Sequence, residues 1–498
     1  MATVLGIDLG TQSIKVIIYD FDAGAVLAAA NAPLDLEQGA GGVAEQQAQW
    51  WVRALGQALQ QIDKPLRGRV QAVGVSGQQH GFVPLDRSGQ VLAGVKLWCD
   101  TSTSAQCERI MDAVGGLDAC IAATGNPVLP GYTASKIRWF REAHPERYAR
   151  MRWILLPHDY LNFYLTGEVC MEAGDASGTG CLDIRTRRWS EAILAAIDPD
   201  RDLAPCLPEV RSQNQPIGVL RPVVAQALSL PAGIPVSIGG GDNMMSALGT
   251  GNVVPGVVTV SLGSSGTIYA YSDVPVVDPK GAIAAFCAST GGWLPLLCTM
   301  NCTTSTELMR TLVNADIDAF EQHISTAPEG AGGVITVPFF NGERTPNLPN
   351  GKAMIVGLDS RNATPAHLLR SAVEGATFAL RSGFQELRKL GLSADELVLT
   401  GGGANSGTWR QILADVFDTP VTVYCQNEGA AFGAALQAVA MLEGEGADLQ
   451  RLTRAHLTRD EGRCCVPTPS AVERYESSFQ AYQQAVEQVI GLYGTNPS

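Results

Sequence analysis

VLGIDLGTQSIKVIIYD, residues 4–20, is an apolar run carrying one acid, Asp8, followed by a Gly10–Thr11–Gln12–Ser13 turn and a second apolar run with Lys15 inside it. The pattern predicts a strand from Val4 to Asp8, a tight turn, and a strand from Ile14 to Tyr19. After the Asp22–Ala23–Gly24 turn it predicts a third strand, Ala25 to Ala29. An acid at a strand end, beside a turn of small residues, suits a cation next to a polyphosphate. The amides of Gly10, Thr11 and Gln12 can point at phosphate oxygens, and Asp8 can hold Mg2+, usually through water. Gly10 lets the chain approach a phosphate closely. Taken alone, the stretch also reads as an ordinary hairpin in which Asp8 caps the turn.

VVTVSLGSSGTIYAY, residues 257–271, repeats the device: apolar strand, Gly263–Ser264–Ser265–Gly266–Thr267 turn, apolar strand. Two copies about half a chain apart read as an internal duplication, and two facing donor loops make a clamp. PVSIGGGDN (235–243) reads as a strand ending in glycines and an acid, and GTGNVVPG (249–256) as a linker-like stretch. A boundary near 243–256 follows, dividing the chain into α/β domains of 1–245 and 246–498. Residues 366–390 have helical periodicity, Leu397 to Thr400 reads as a strand, and Asn405/Ser406 mark a helix start. EGAAFGAALQAVAML (428–442) is a helix of small residues suited to close packing, and the tail from Ser470 is an amphipathic helix.

The length leads one to expect two or more domains. The chain has 498 residues, 46% hydrophobic and 17% charged, so it is neither disordered nor a coiled coil. Its 35 basic and 49 acidic residues give a net charge of −14, which argues against nucleic-acid binding and favours a soluble protein. No signal peptide precedes Asp8 and no apolar run is long enough to span a membrane, so the expectation is a cytoplasmic protein whose twelve cysteines are reduced. No C-x-x-C and no H-E-x-x-H pattern points to zinc.

Other constellations carry chemistry. Asp242, in Gly-Gly-Gly-Asp-Asn, lies at the expected domain junction, where a cleft would form. Phosphoryl transfer to an alcohol needs an in-line hydroxyl, charge neutralisation and a carboxylate to take the proton, and Asp242 suits that base; it also reads as a turn aspartate after glycines. SGQQHGFVPLD (76–86) sets Gln78, Gln79 and His80 after a strand, and LWCD (97–100) follows with Trp98. Amides, an imidazole and an indole suit a polyhydroxylated ligand, although a lone histidine is often structural. TGGGANS (400–406) would let a nucleotide lie against the backbone; a plain helix-start turn fits as well. Neither the G-x-x-x-x-G-K-[ST] nor the G-x-G-x-x-G pattern is present, which disfavours a P-loop kinase and a Rossmann dehydrogenase.

In order, GIDLGTQSIK, SGQQHG, GYTASKIRWF, LLPHDYLNFYLTGE, GDASGTGCLDI, GGGDN, LGSSGT, FFNGERTPNLPNG, VGLDSRNATPAHLLRSAVEG, LTGGGANSGTWRQILADVF and EGAAFGAA resemble the FGGY family of carbohydrate kinases, over Gly6 to about Met441. GYTASKIRWF, with Lys136 and Trp139, looks like the family's first signature. LLPHDYLNFYLTGE, DASGTG and the His80 segment look most like its xylulokinase branch. The resemblance implies two ribonuclease-H-like domains of the actin/sugar-kinase superfamily with an active-site cleft between them, and transfer from Mg2+–ATP to D-xylulose. It implies Asp8 serving the metal and phosphates, Asp242 as base, and Gln79, His80, Asp242, Asn243 and Trp98 at the sugar. Ser264, Ser265, Gly266 and Thr267 would face the ATP phosphates. Gly402, Gly403, Ala404 and Asn405 would hold the adenosine, and a homodimer is what the resemblance suggests. Gln79, where many of that branch have Met, Cys99, where Asn is common, and Ala143, where a polar residue is usual, depart from the pattern. Ribulose, a deoxy-ketose or a pentitol therefore stay open as substrates. A chaperone-like nucleotide switch would need a peptide-binding appendage after Met441, and an actin-like polymer would leave SGQQHG and Asp242 without a role.

Overall fold

The structure is a computed structural model that describes residues 2–211, 215–426, 428–444 and 446–494. Its first half is built on a seven-stranded sheet. Thr3–Leu9 pairs antiparallel with Ser13–Asp20, which pairs antiparallel with Ala25–Pro33; on its other edge Thr3–Leu9 runs parallel to Val70–Gly77. The third strand runs four residues beyond the expected Ala29. Ala-rich sequence is a weak strand former, but the Ser13–Asp20 edge supplies a ladder along its whole length.

The second half repeats the arrangement. Gly256–Leu262 pairs antiparallel with Gly266–Ala270, which pairs with Leu296–Thr299, and Gly256–Leu262 runs parallel to Ala394–Thr400. In both halves a hairpin opens the sheet and a parallel strand returns beside its first member, so the duplication read from two loops extends to strand order. Each half has its own apolar core. In the second half the helix Pro365–Lys389 buries Leu369, Val373, Leu380 and Phe384 against the sheet. The C-terminal helix Pro469–Tyr493 contributes Tyr475, Phe479 and Tyr482 to the same core.

A third core is shared between the halves. The helix Gly429–Glu443 belongs to the second half by sequence, yet it lies on the strands Thr3–Leu9 and Val70–Gly77 and on the helix Asp242–Gly249. Its small residues make this possible: a Cβ on Gly6 would stand 2.1 Å from the Ala431 carbonyl oxygen, and one on Gly74 2.0 Å from that of Ala434. The 250–255 stretch is not a free tether. Asn252 is buried, its Nδ2 donating to the Tyr269 carbonyl at 2.8 Å and its Oδ1 accepting from the Tyr271 amide at 2.9 Å. The halves also meet where Asn126 exchanges two 2.8 Å hydrogen bonds with the backbone of Ala285. All twelve cysteines are free thiols, and no described helix is long and apolar enough to cross a membrane.

Candidate active site

Strand register brings the two acids to one place. Ser76, at the end of Val70–Gly77, stands opposite Asp8 on one side and opposite Gly240 on the other. Asp8 and Gly240 are therefore two strand spacings apart, about 10 Å. Two residues past Gly240, Asp242 opens the helix Asp242–Gly249. Ser76 Oγ donates to Asp8 Oδ1 at 2.9 Å. Burial pushes the Asp8 carboxyl up, with the Ser76 hydroxyl and the Lys15 ammonium pulling the other way. Lys15 faces Asp8 across the hairpin and pairs with Glu428 at 2.5 Å. The Asp242 carboxyl is pushed up to about 8, first by burial, then by the negative charges of Asp8 and Asp175. The residue as a whole is half-buried.

The first turn is strapped from below. Gly10 N–H goes to Ser13 O at 3.0 Å, so glycine there makes the bend tight. Trp98 Nε1 donates to Thr11 Oγ1 at 2.9 Å, and Thr11 Oγ1 donates to Gln78 Oε1 at 3.0 Å. Gln46 Nε2 holds the Thr11 carbonyl at 2.8 Å, while its Oε1 accepts from Gln78 Nε2 and Trp51 Nε1, each at 2.9 Å. The indole N–H of Trp98 thus serves the Thr11–Gln12 turn.

The second turn sits over the start of the helix Thr303–Leu312. Ser264 O accepts from Cys302 N at 3.0 Å and Gly263 O from Thr303 N at 2.9 Å. Ser264 is exposed, Ser265 and Thr267 half-buried, Gly266 buried. Ser261 pairs with Thr400, so the 400–405 turn leaves the same sheet edge as the 263–266 turn. Gly402 and Asn405 are exposed, Gly403 and Ala404 buried. Ser406 caps the following helix through Trp409 N at 3.0 Å, as its position predicts. Arg463 Nη2 steadies Asn405 Oδ1 at 3.0 Å.

Gln79, His80 and Asn243 gather beside Asp242. Asn243 Nδ2 donates to Gln79 Oε1 at 2.7 Å and to Asp242 Oδ1 at 3.0 Å. His80 adopts a left-handed backbone, φ 63°, and its ring packs against Tyr132 at 4.9 Å and Phe286 at 5.6 Å between centroids. Burial, reinforced by the cations Lys136 and Arg344, drives the imidazole down to about 3, so it is neutral at physiological pH. Burial also brings the Lys136 ammonium down to about 7, yet it donates to the carbonyls of His80 (2.7 Å) and Gly131 (2.5 Å). Gln79 Nε2 and His80 Nδ1 are buried without a hydrogen-bond partner. Buried polar atoms rarely stay unpaired, so two of them side by side mark a place for a hydroxyl-bearing ligand or water.

Several site residues carry no signal of their own in the sequence. Ser76 reads as one more strand residue until the register places it against Asp8. Tyr132 and Phe286 come from distant segments and enclose His80. Arg344 lies in FFNGERTPNLPNG, a segment that resembles the family without assigning the arginine a task. Buried Glu343 accepts from Met300 N at 2.7 Å and from Asn301 Nδ2 at 3.2 Å, pinning the segment. Arg344 beside it is exposed, forms no ion pair among the described residues, and its charge reaches His80, Tyr132, Cys99 and Cys298.

Comparison with known proteins agrees along the whole chain. The N-terminal domain of the FGGY family of carbohydrate kinases matches residues 3–249, and the family's C-terminal domain matches residues 258–442. The chain belongs to this family. The kinase is 42% identical over 492 residues to the xylulose kinase of Haemophilus influenzae, covering 97% of this chain and 99% of that protein. It is 37% identical to the xylulose kinase of Streptomyces coelicolor, covering 96% and 94%. Among solved structures it superposes on the xylulose kinase of Bifidobacterium adolescentis with a TM-score of 0.80 at 29% identity, covering 96% and 99%. On the glycerol kinase of Plasmodium falciparum with ADP the TM-score is 0.86 at 20% identity, covering 98% of each chain, a likeness of fold. The kinase is thus a phosphotransferase acting on the alcohol group of a sugar, on two domains of the actin/sugar-kinase kind.

Proposed function

We propose that the kinase transfers the γ-phosphoryl group of ATP to a hydroxyl of D-xylulose, giving ADP and D-xylulose 5-phosphate, with residues 1–245 as the sugar half and 246–498 as the nucleotide half. The observation that carries the reading is the meeting of Asp8 and Asp242 around Ser76, with the unpartnered Gln79 Nε2 and His80 Nδ1 beside them. The relatives named xylulose kinase supply the choice of sugar.

The sugar lies against Gln79, His80, Asn243 and the face of Trp98. Neutral His80 and the Gln79 amide hydrogen-bond its hydroxyls. Asp242 takes the proton of the attacking hydroxyl as the new O–P bond forms and the bond from phosphorus to the β–γ bridging oxygen breaks. A base that holds its proton near ambient pH suits this task, since it is deprotonated often enough and accepts strongly. The Thr11–Gln12 turn and Ser264 to Thr267 flank the phosphates, and Gly402 to Asn405 the adenosine. The chemistry of the site fits a hydrated divalent cation at Asp8: the negative charge of Asp8 is felt at Asp242, and a cation between them and the phosphates would relieve that repulsion. Mg2+ held at Asp8, largely through water, neutralises charge on the phosphate oxygens when bound.

The test is kcat/KM over D-xylulose, ribuloses, xylitol and glycerol by coupled ADP release. D-xylulose is expected to lead the panel; a ribulose or a polyol leading it overturns the choice of sugar, and ATP turnover unaffected by any of them overturns the sugar site.

A further inference from the structure

His80 holds a backbone conformation that non-glycine residues seldom adopt, and such strain persists only where the surroundings enforce it. One side of the constraint belongs to the site already described: Lys136 Nζ and Thr133 Oγ1 both donate to the His80 carbonyl, at 2.7 and 3.1 Å. The other side is a buried ionic chain that phosphoryl transfer itself does not use. Its acid nearest the His80 loop is Asp175, whose carbonyl accepts from Gly178 N at 2.9 Å; burial raises the Asp175 carboxyl, with His158 pulling the other way. His158 Nδ1 meets Asp175 Oδ2 at 2.8 Å, and His158 Nε2 meets Asp159 Oδ1 at 2.9 Å. Asp159 is in turn fixed by the Leu156 amide at 2.9 Å. All three side chains of the chain are fully buried or nearly so. The two flanking carboxylates outweigh desolvation and keep the His158 imidazolium charged.

The segment bearing Asp175 is anchored as well. Glu172 caps the short helix Ala173–Ser177 by accepting from Gly174 N (2.6 Å) and Asp175 N (2.5 Å), and it takes a 3.1 Å hydrogen bond from Ser289 of the second half. Gly178 follows directly under the histidine ring: a Cβ there would come 2.3 Å from His80 Cε1. Asp175 Oδ1 has no aligned partner of its own, and the carboxylate's charge is felt at Asp242.

We propose that the His158–Asp175 pair is a positioning device for the sugar site: anchored by Asp159, it fixes the His80 loop in its left-handed conformation and sets the floor beside Asp242. The inference rests on reading Gln79, His80 and Asp242 as the sugar side. A buried acid unsupported by its imidazolium would turn away or take up a proton, and the Asp175 segment that seats Gly178 against the His80 ring would lose its anchor. Ordering of the sugar loop would then be lost, while the nucleotide turns at 263–267 and 402–405, carried by the other sheet, would not be disturbed.

The experiment uses the full chain and whichever sugar the wild type prefers in the panel, so that a different sugar overturns the choice of substrate without touching the pair. Asp175→Asn and His158→Leu are expected to raise KM for the sugar about tenfold or more, with KM for ATP within about twofold. His158→Asn places an amide N–H where Nδ1 stands and is expected to restore most of the sugar affinity. A sugar KM that stays within twofold in all three variants overturns the proposal. So do KM values for sugar and ATP that rise in parallel with falling thermal stability, and so does His158→Asn no better than His158→Leu. If His158→Leu does not fold, Asp175→Asn and His158→Asn decide the matter, the first losing sugar affinity and the second keeping it.

Discussion

Replacing Asp242 by asparagine should impair the reaction and stabilise the protein, and the second effect should depend on pH. In the folded, ligand-free enzyme the Asp242 carboxyl is raised from 3.8, ordinary for an aspartate, to about 8. The folded state therefore binds this proton more tightly than the unfolded chain. Below pH 4 both states are protonated and the group costs nothing. Between pH 4 and 8 the unfolded chain releases the proton while the folded state keeps it, so stability falls as pH rises, and the loss is complete above the folded value. A gap of about four pH units, at 1.36 kcal/mol each, sets a ceiling of about 5 kcal/mol. Asp242 is only half-buried, so solvent screens its neighbours, and asparagine must find hydrogen bonds of its own; a gain of about 2 kcal/mol at pH 8 over pH 5 is expected. Urea unfolding of wild type and Asp242→Asn at pH 5, 6.5 and 8, without metal or nucleotide, measures it. In the same preparations kcat for the sugar should fall by about 100- to 10,000-fold while ATP binding persists. A stability difference that is flat with pH would refute the electrostatic account of Asp242, and a variant that turns over normally would refute its role as base.

Gly74→Ala puts a methyl within 2.0 Å of the Ala434 carbonyl oxygen, so it should cost about 1–3 kcal/mol in urea unfolding, with no compensating shift in sugar preference; an unaltered midpoint would mean the helix is not seated as described. Ser76→Ala removes the hydroxyl that donates to Asp8 and lets burial push that carboxyl higher still, so KM for Mg2+–ATP should rise about fivefold and more at pH 6 than at pH 8, read from initial rates; equal KM at both pH values would detach Ser76 from the metal side.

How far the sequence reaches depends on how local the physics is. The strand, acid and turn around Asp8 are legible because alternation, a glycine and a carboxylate sit within a dozen residues, and the 257–271 copy is legible from its alternation and its Gly-Ser-Ser-Gly turn. Ser406 announces its helix because capping is a three-residue event. Asp242 is noticeable after three glycines, but its electrostatics are not: they come from burial in the folded site and then from Asp8 and Asp175, far away along the chain. The 249–256 stretch shows why glycine-rich composition misleads, since a single side chain, Asn252, ties it into the hairpin that follows. Arg344 and the His158–Asp175 pair are the least visible, because an irregular loop and a contact between two short helices leave no periodicity to read.

The Gly429–Glu443 helix has a mechanical consequence. Its side-chain amide at Gln437 grips the Gly239 amide and carbonyl at 2.7 and 3.0 Å, just before the stretch that ends in Asp242, while its backbone bears directly on Gly6, two residues ahead of Asp8. Bare backbone against bare backbone leaves no cushion of side chains to slide on. One helix therefore holds the roots of both acids, and a displacement of it is shared by Asp8 and Asp242 alike.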